Sequence, residues 1–168
     1  NRHLTAAFVV GRVFNRFRIL IAQGSEWWDS AGDHAFHPAF KVETRWGTGK
    51  SQRLALEVAT GSKDVSRGAD LYYQSLKSAP GGNLRLRGDV GPINVDGAIC
   101  RGLSRQAYGE LDQMTGARRF STIDMFAAVP HSFMTMLGMQ FQGMPTVQLH
   151  EWQNDHYIPT ARIAQRDT

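Results

Sequence analysis

Cysteine is almost missing from this chain of 168 residues. Cys100 stands alone, so no disulfide can close within the chain, and its place in an apolar helical pattern reads as a small buried hydrophobe rather than a reactive thiol. That usage fits a reducing, cytoplasmic setting. Long apolar runs are missing as well. No stretch approaches the ~18 residues that a membrane span needs. The start, Asn1-Arg2-His3, leads into an amphipathic stretch holding Arg12, Arg16 and Arg18, which does not read as a secretory signal. It lacks an initiator Met, and the expectation is a piece of a longer chain. Charge of one sign is concentrated nowhere. The net charge of +4 is scattered, which mildly favours anionic partners and argues against a tail that grips nucleic-acid polymers.

Catalytic signatures are missing too: there is no G-x-S-x-G, H-E-x-x-H or G-x-G-x-x-G. His34-x-x-His37 could hold half a metal site, but no cysteine or second close histidine pair completes it, so neither a metal nor a cofactor is expected. "RWGTGKS" (45–51) ends like a phosphate-binding loop, yet Thr44 stands where the first glycine is required and the residues after Ser51 alternate as a strand rather than open a helix. The segment reads instead as a hairpin-like turn between two strands. Asp64, Asp70, Asp112 and Asp124 have no spacing that pairs them for acid–base work.

What is present is the composition of one soluble globular domain, 42% apolar and 20% charged. Helical spacing predicts a helix over about 4–14. "FRILIAQ" (17–23) reads as a strand covered on both faces, and 24–38 as a long loop. "FKVETRW" (40–46) and "RLALEVAT" (53–60) alternate as strands. Val65 to Leu76 mark a helix capped by Ser62 or Asp64 and stopped by "APGG", and "NLRLR" (83–87) is a strand. A long helix through Val95 to Met114, capped by Asn94 and ended by Gly116, leads to the strand "STIDMFAAV". Pro130 then opens a helix, Gly143 and Pro145 close it, "TVQLHEW" (146–152) is a strand, and "YIPTARI" (157–163) is an edge strand carrying Pro159.

A weak internal repeat emerges. Strand, short polar turn, helix and strand recur about 69 residues apart, which implies two parallel β-α-β units related by a pseudo-two-fold. Ligands of open α/β sheets sit beyond the carboxyl ends of strands, beside helix amino ends. That places Thr60–Asp64 and Ala128–Ser132 at comparable positions. "TGSKD" offers hydroxyls, a lysine and backbone N–H groups to a phosphate. The loop "QGSEWWDS" carries adjacent tryptophans, one of which offers a stacking surface to a base.

Together these segments resemble a known family. "IDMFAAVPHSFMTMLGMQFQGMPTVQLHEW" followed by "YIPTARI" is similar to the carboxyl-terminal half of SAVED domains, and "AAFVVGRVF…FRILIAQ" and "LALEVATGSKDV" resemble earlier parts, so that residues 6 to 163 are covered. The helix end departs from the family's pattern, with Gly138-Met139 and Gln142-Gly143 in place of Gly-Arg and Asn. The resemblance implies an α/β fold of two fused CARF-like Rossmann-type units, the first over about 1–90 and the second over 91–168. It implies a non-enzymatic sensor of a cyclic oligonucleotide (a cyclic di- or trinucleotide, cGAMP among them) in bacterial anti-phage CBASS signalling. The sensor would oligomerise on binding and switch on a covalently fused effector, such as an HNH nuclease that this chain does not contain.

The ligand residues expected are Lys63 for a phosphate, Ser62 and Gly61 as donors, Trp28 for stacking, and Pro130 and His131 on the second wall. Asp64 caps its helix or reads a base amino group, and Gln23 and Arg101 are further candidates. The alternatives are a nucleotide-processing enzyme using His131 and Asp64, or a pure oligomerisation module.

Overall fold

The computed structural model describes residues 3–23, 25–31, 40–48, 50–88 and 97–164. Two of its strands are buried along nearly their whole length, and they form the middle of the sheet. These are β4 (Arg53–Ala59), buried from Leu54 onward, and β6 (Thr122–Ala128), buried through Ala127. Near-continuous burial is what a parallel strand covered on both faces requires. Six strands form one sheet in the order β3-β5-β4-β6-β7-β8, with β3 (Phe40–Trp46), β5 (Gly82–Gly88), β7 (Thr146–Gln153) and β8 (His156–Ile163). The four inner strands run parallel, and β3 and β8 run antiparallel at the edges. A separate hairpin joins β1 (Leu20–Gln23) to β2 (Glu26–Asp29).

The expected pair of β-α-β units is there, on one shared sheet. From β4 the chain crosses through α2 (Ser66–Ser75) to β5; from β6 it crosses through α4 (His131–Gln140) to β7. The crossings step in opposite directions, so right-handed connections send the two helices to opposite faces. The clusters agree. Leu54, Leu56, Val58, Ile123 and Met125 pack with α1 (His3–Val13), α3 (Gly97–Ala117) and α4, whereas Ala55, Ala59 and Phe126 pack with Val65, Ala69 and Tyr73 beneath α2. The pseudo-two-fold therefore runs along the strands, between β4 and β6. The expected boundary between halves, near 90, lies outside the described residues, as do Asn94, Val95, Gly49 and the His34/His37 pair.

On the first face α1 and α4 lie very close. A Cβ added at Gly138 would run into the Phe8 carbonyl oxygen, and one at Gly11 into that of Thr135. Only glycine permits that approach.

Three expectations need correction. Segment 17–23 is not a strand covered on both faces: it pairs with β2 alone, and Leu20 remains 55% exposed. The long loop expected at 24–38 contains β2. Residues 47–52 do not close a hairpin, because β5 lies between β3 and β4 and both pair with it. What holds that connection is Arg118, whose guanidinium donates to the carbonyls of Gly47, Ser51 and Gly81. The turn lies at the amino end of β4, away from the carboxyl edge. β8 is the edge strand anticipated, with a bulge between Leu149 and His150 opposite the proline region.

A candidate ligand crevice at the switch between two crossovers

Strand order reverses direction between β4 and β6, which makes their carboxyl ends a topological switch point. Ala59 is level with Ala128 on one side and Arg87 on the other. One step further the Thr60 N–H still donates to the Ala128 carbonyl at 3.2 Å, so the two strands stay joined at the base of the crevice. From here 60–65 climbs to α2 and 129–130 to α4.

Each helix start is built differently. At α2, Asp64 Oδ1 accepts the Ser66 N–H at 2.9 Å, meeting one of the donors that a helix amino end leaves open. That bond, with Arg87 beside it, holds the Asp64 carboxyl below the ordinary carboxylate range. Ser62 and Lys63 are exposed on the same turn, and a Cβ at Gly61 would meet nothing within 4 Å. At α4, Pro130 occupies the N-cap with extended backbone (φ −61°, ψ 151°), and its carbonyl accepts the Met134 N–H at 3.2 Å. His131 is exposed, whereas Ser132 is fully buried, and among the described residues its hydroxyl has no hydrogen-bond partner.

Under the first turn of α2 runs a charged chain. Glu57, fully buried on β4, accepts from Ser66 Oγ at 2.6 Å, Arg85 Nε at 2.8 Å and Asn83 Nδ2. Arg87, at the carboxyl end of β5, donates from Nη2 to Asp64 Oδ1 at 2.9 Å and reaches Ser66 Oγ at 3.3 Å. Its side chain is 46% exposed. Deeper on this face, Asp124 receives both Arg53 Nε (2.7 Å) and Nη2, and the Tyr73 hydroxyl at 2.6 Å. Burial pushes the Tyr73 phenol far up, so it stays a donor. His150 lies 3.9 Å from Asp124, stacked on Phe126 at 4.5 Å and edge-on to Tyr72. Burial lowers its pKa to about 4, with Asp124 pulling the other way. The imidazole is therefore neutral at pH 7.

Of the anticipated ligand residues, Gly61, Ser62, Lys63 and Asp64 share one turn, and Pro130 and His131 open the facing helix. Trp28 requires correction. Successive strand residues point to opposite faces, and in β2 it is Trp28 that turns inward, 7% exposed, with Gly97 of α3 close against it. Trp27 points outward and is 71% exposed. Trp28 is thus a core residue and not a stacking surface. Arg101 braces this hairpin, donating to the Asp29 carbonyl. Gln23 pairs with Glu26 near its turn.

Arg87 and the Glu57–Arg85 network were not anticipated. In "NLRLR" the arginines read as the outward half of an alternating strand. The available signal was position: Arg87 is a cation at the carboxyl end of the second strand of a β-α-β unit. A separate groove of about 540 Å³, lined by Asp70, Tyr73, Gln74, Lys77 and Asn83 among others, lies toward the far end of α2 and shares no residue with the crevice. Among the described residues no helix is long and apolar enough to cross a membrane.

A family model described as "SMODS-associated and fused to various effectors sensor domain", or SAVED, matches residues 1–163. A curated relative, CD-NTase-associated protein 4 of Acinetobacter sp. (strain ATCC 27244 / 9458), is 24% identical over 99 residues, covering 59% of this chain and 21% of its own. The Acinetobacter baumannii Cap4 SAVED/CARF-domain containing receptor, solved with the cyclic trinucleotide 3'3'3'-cAAA, superposes with a TM-score of 0.83 at 20% identity over 95% of this chain and 36% of that one. The Moraxella osloensis Cap4 receptor gives a TM-score of 0.68 at 17% identity, covering 95% and 34%. The chain therefore spans about a third or less of the length of these relatives. With a family model that covers all but its last residues, the chain belongs to the SAVED sensor-domain family.

Proposed function

We propose that this domain binds a cyclic oligonucleotide second messenger at the crevice between the β4–α2 and β6–α4 turns. The observation that carries the reading is the switch point itself: two helix starts, on opposite faces, rise from adjacent strands whose last residues remain hydrogen-bonded. Backbone N–H groups there suit phosphates. Lys63 and Ser62 are exposed beside them, and Pro130 and His131 form the other wall. The fold it shares with Cap4 receptors, one of them solved with a cyclic trinucleotide, supports the same ligand class.

In this reading the domain senses and does not turn over its ligand. It works in the cytoplasm, self-associates when occupied, and passes that change to a covalently linked effector, a nuclease being the expected kind. The enzyme alternative draws less support, because Asp64 is engaged by Ser66 and Arg87 rather than free to act as a base.

Titration calorimetry against cyclic di- and trinucleotides, with chromatography of the ligand afterwards, tests this. At least one member should bind and be recovered intact. Loss of ligand over hours would point to an enzyme, and no binding to any member would overturn the reading. A rise in sedimentation coefficient at saturation is expected; a persistent monomer would remove the self-association step for this domain.

A further inference from the structure

We propose that Arg87 is the principal cation for a ligand phosphate, and that Asp64 engages Arg87 until a ligand arrives, as an internal stand-in for that anion. The inference rests on the cyclic-oligonucleotide reading above. It begins from an electrostatic mismatch. A guanidinium lies against the first turn of α2, where the helix dipole favours negative charge. Asp64 makes that tolerable. Its Oδ1 accepts both the Ser66 N–H and Arg87 Nη2, each at 2.9 Å, so one carboxylate oxygen bridges a helix amino end and an arginine. That donor set, a backbone N–H at a helix start together with a guanidinium, is also what receives a phosphate oxygen.

The pair is built to be released. Asp64 and Arg87 side chains are 58% and 46% exposed, and an exposed ion pair is a weak one. The elements beneath them are fixed. Glu57 is fully buried and grips Ser66 and Arg85, and Ser66 Oγ touches Arg87 as well. Arg87 is thus held from below by a rigid network and from above by a partner that solvent and ligand can reach. It is level with Ala59 and Ala128, two strands from the second wall, or roughly 10 Å at ordinary strand spacing. A cyclic di- or trinucleotide can span that distance. Lys63, by contrast, is exposed on the turn and serves as a secondary charge.

The two members of the pair therefore act in opposite directions on binding, which no purely structural role produces. Asp64→Asn keeps a side-chain oxygen that can accept the Ser66 N–H, as an Asx turn does, and removes the competing charge. The ligand from the panel that binds the unaltered domain is the probe, titrated at low ionic strength. Asp64→Asn should tighten its binding about two- to fivefold. Arg87→Gln should weaken it about ten- to a hundredfold, with Arg87→Lys between. Equal thermal melting of the variants shows that folding is not the cause. Weaker binding by Asp64→Asn would mean that the carboxylate itself contacts ligand, for instance at a base amino group, and would overturn the stand-in role. Unchanged binding by Arg87→Gln would remove Arg87 from the site while the ligand reading stands. If the unaltered domain binds no panel member, the ligand reading and this inference fall together.

Discussion

The two crossovers, β4-α2-β5 and β6-α4-β7, share topology and differ in almost everything else. The α4 side is apolar: Phe133, Met134, Met136 and Leu137 are buried against α1, α3 and the sheet. The α2 side has a small apolar cluster, and beside it fully buried carboxylates, Glu57 and Asp124, each held by arginine and hydroxyl partners. The α4 face of the sheet is fastened chiefly by close packing and the α2 face by directional charge. The difference teaches that a pseudo-symmetric scaffold need not present symmetric chemistry. Its α2 wall offers ions, and its α4 wall offers a helix start with a buried hydroxyl, Ser132, that finds no partner among the described residues.

Three perturbations test this contrast, taken in order of size. Asp124→Ala strikes the α2 side hardest. It leaves Arg53 and the Tyr73 hydroxyl without their shared carboxylate, and should cost about 3–5 kcal/mol in urea unfolding. A loss below 1 kcal/mol would mean that this face is held by its apolar cluster after all.

Acid should act on the same side. His150 has its folded pKa pushed down to about 4, from 6.5, chiefly by burial. The unfolded chain therefore takes up the proton first. Stability is whole above pH 6.5 and falls by roughly 1 kcal/mol per pH unit as pH drops toward 4. His150→Phe, which suits the surrounding rings of Tyr72 and Phe126, should flatten that slope. An identical slope in the variant would assign the acid sensitivity elsewhere.

On the α4 side a volume change should matter instead. Gly138→Ala drives a methyl into the backbone of α1 and should cost about 1–3 kcal/mol by thermal melting. Gly61→Ala, with open space around it, should change stability by less than about 0.5 kcal/mol. Equal effects at the two glycines would erase the distinction between a packed wall and an open one.

The parts of this architecture that could be read in the sequence were the locally punctuated ones. Pro130, Gly143 and Pro145 bracket α4, and "APGG" follows α2, because proline fixes the backbone where it stands and glycine admits the left-handed turn that ends a helix, as Gly143 does at φ 70°. The two turns at the crevice followed from the same logic. Strand partners were not legible, since β3 pairs with β5 across the whole of β4 and α2, and no local signal encodes that. Trp27 and Trp28 were adjacent letters; only the pairing of β2 with β1 decides which faces in. Arg87 does not stand out, because nothing in "NLRLR" says which end of the strand faces a ligand. Asp64 reads as a cap, but the N-cap of α2 is Val65, and Asp64 instead accepts the Ser66 N–H and partners an arginine 23 residues on.

The placement of β3 has a consequence for how the chain assembles. It is made before β4, α2 and β5, yet its strand partner among the described residues is β5, to which it pairs along its full length from Phe40↔Gly88 to Trp46↔Gly82. It must therefore wait, untemplated, until the crossover behind it has closed, and it bears that loop's entropy. A late, unshielded edge invites strands from other molecules. Lys41, Glu43 and Arg45, all exposed, put charge at every second position of this edge strand. A strand made early but paired across that crossover is thereby poorly suited to recruit a stranger.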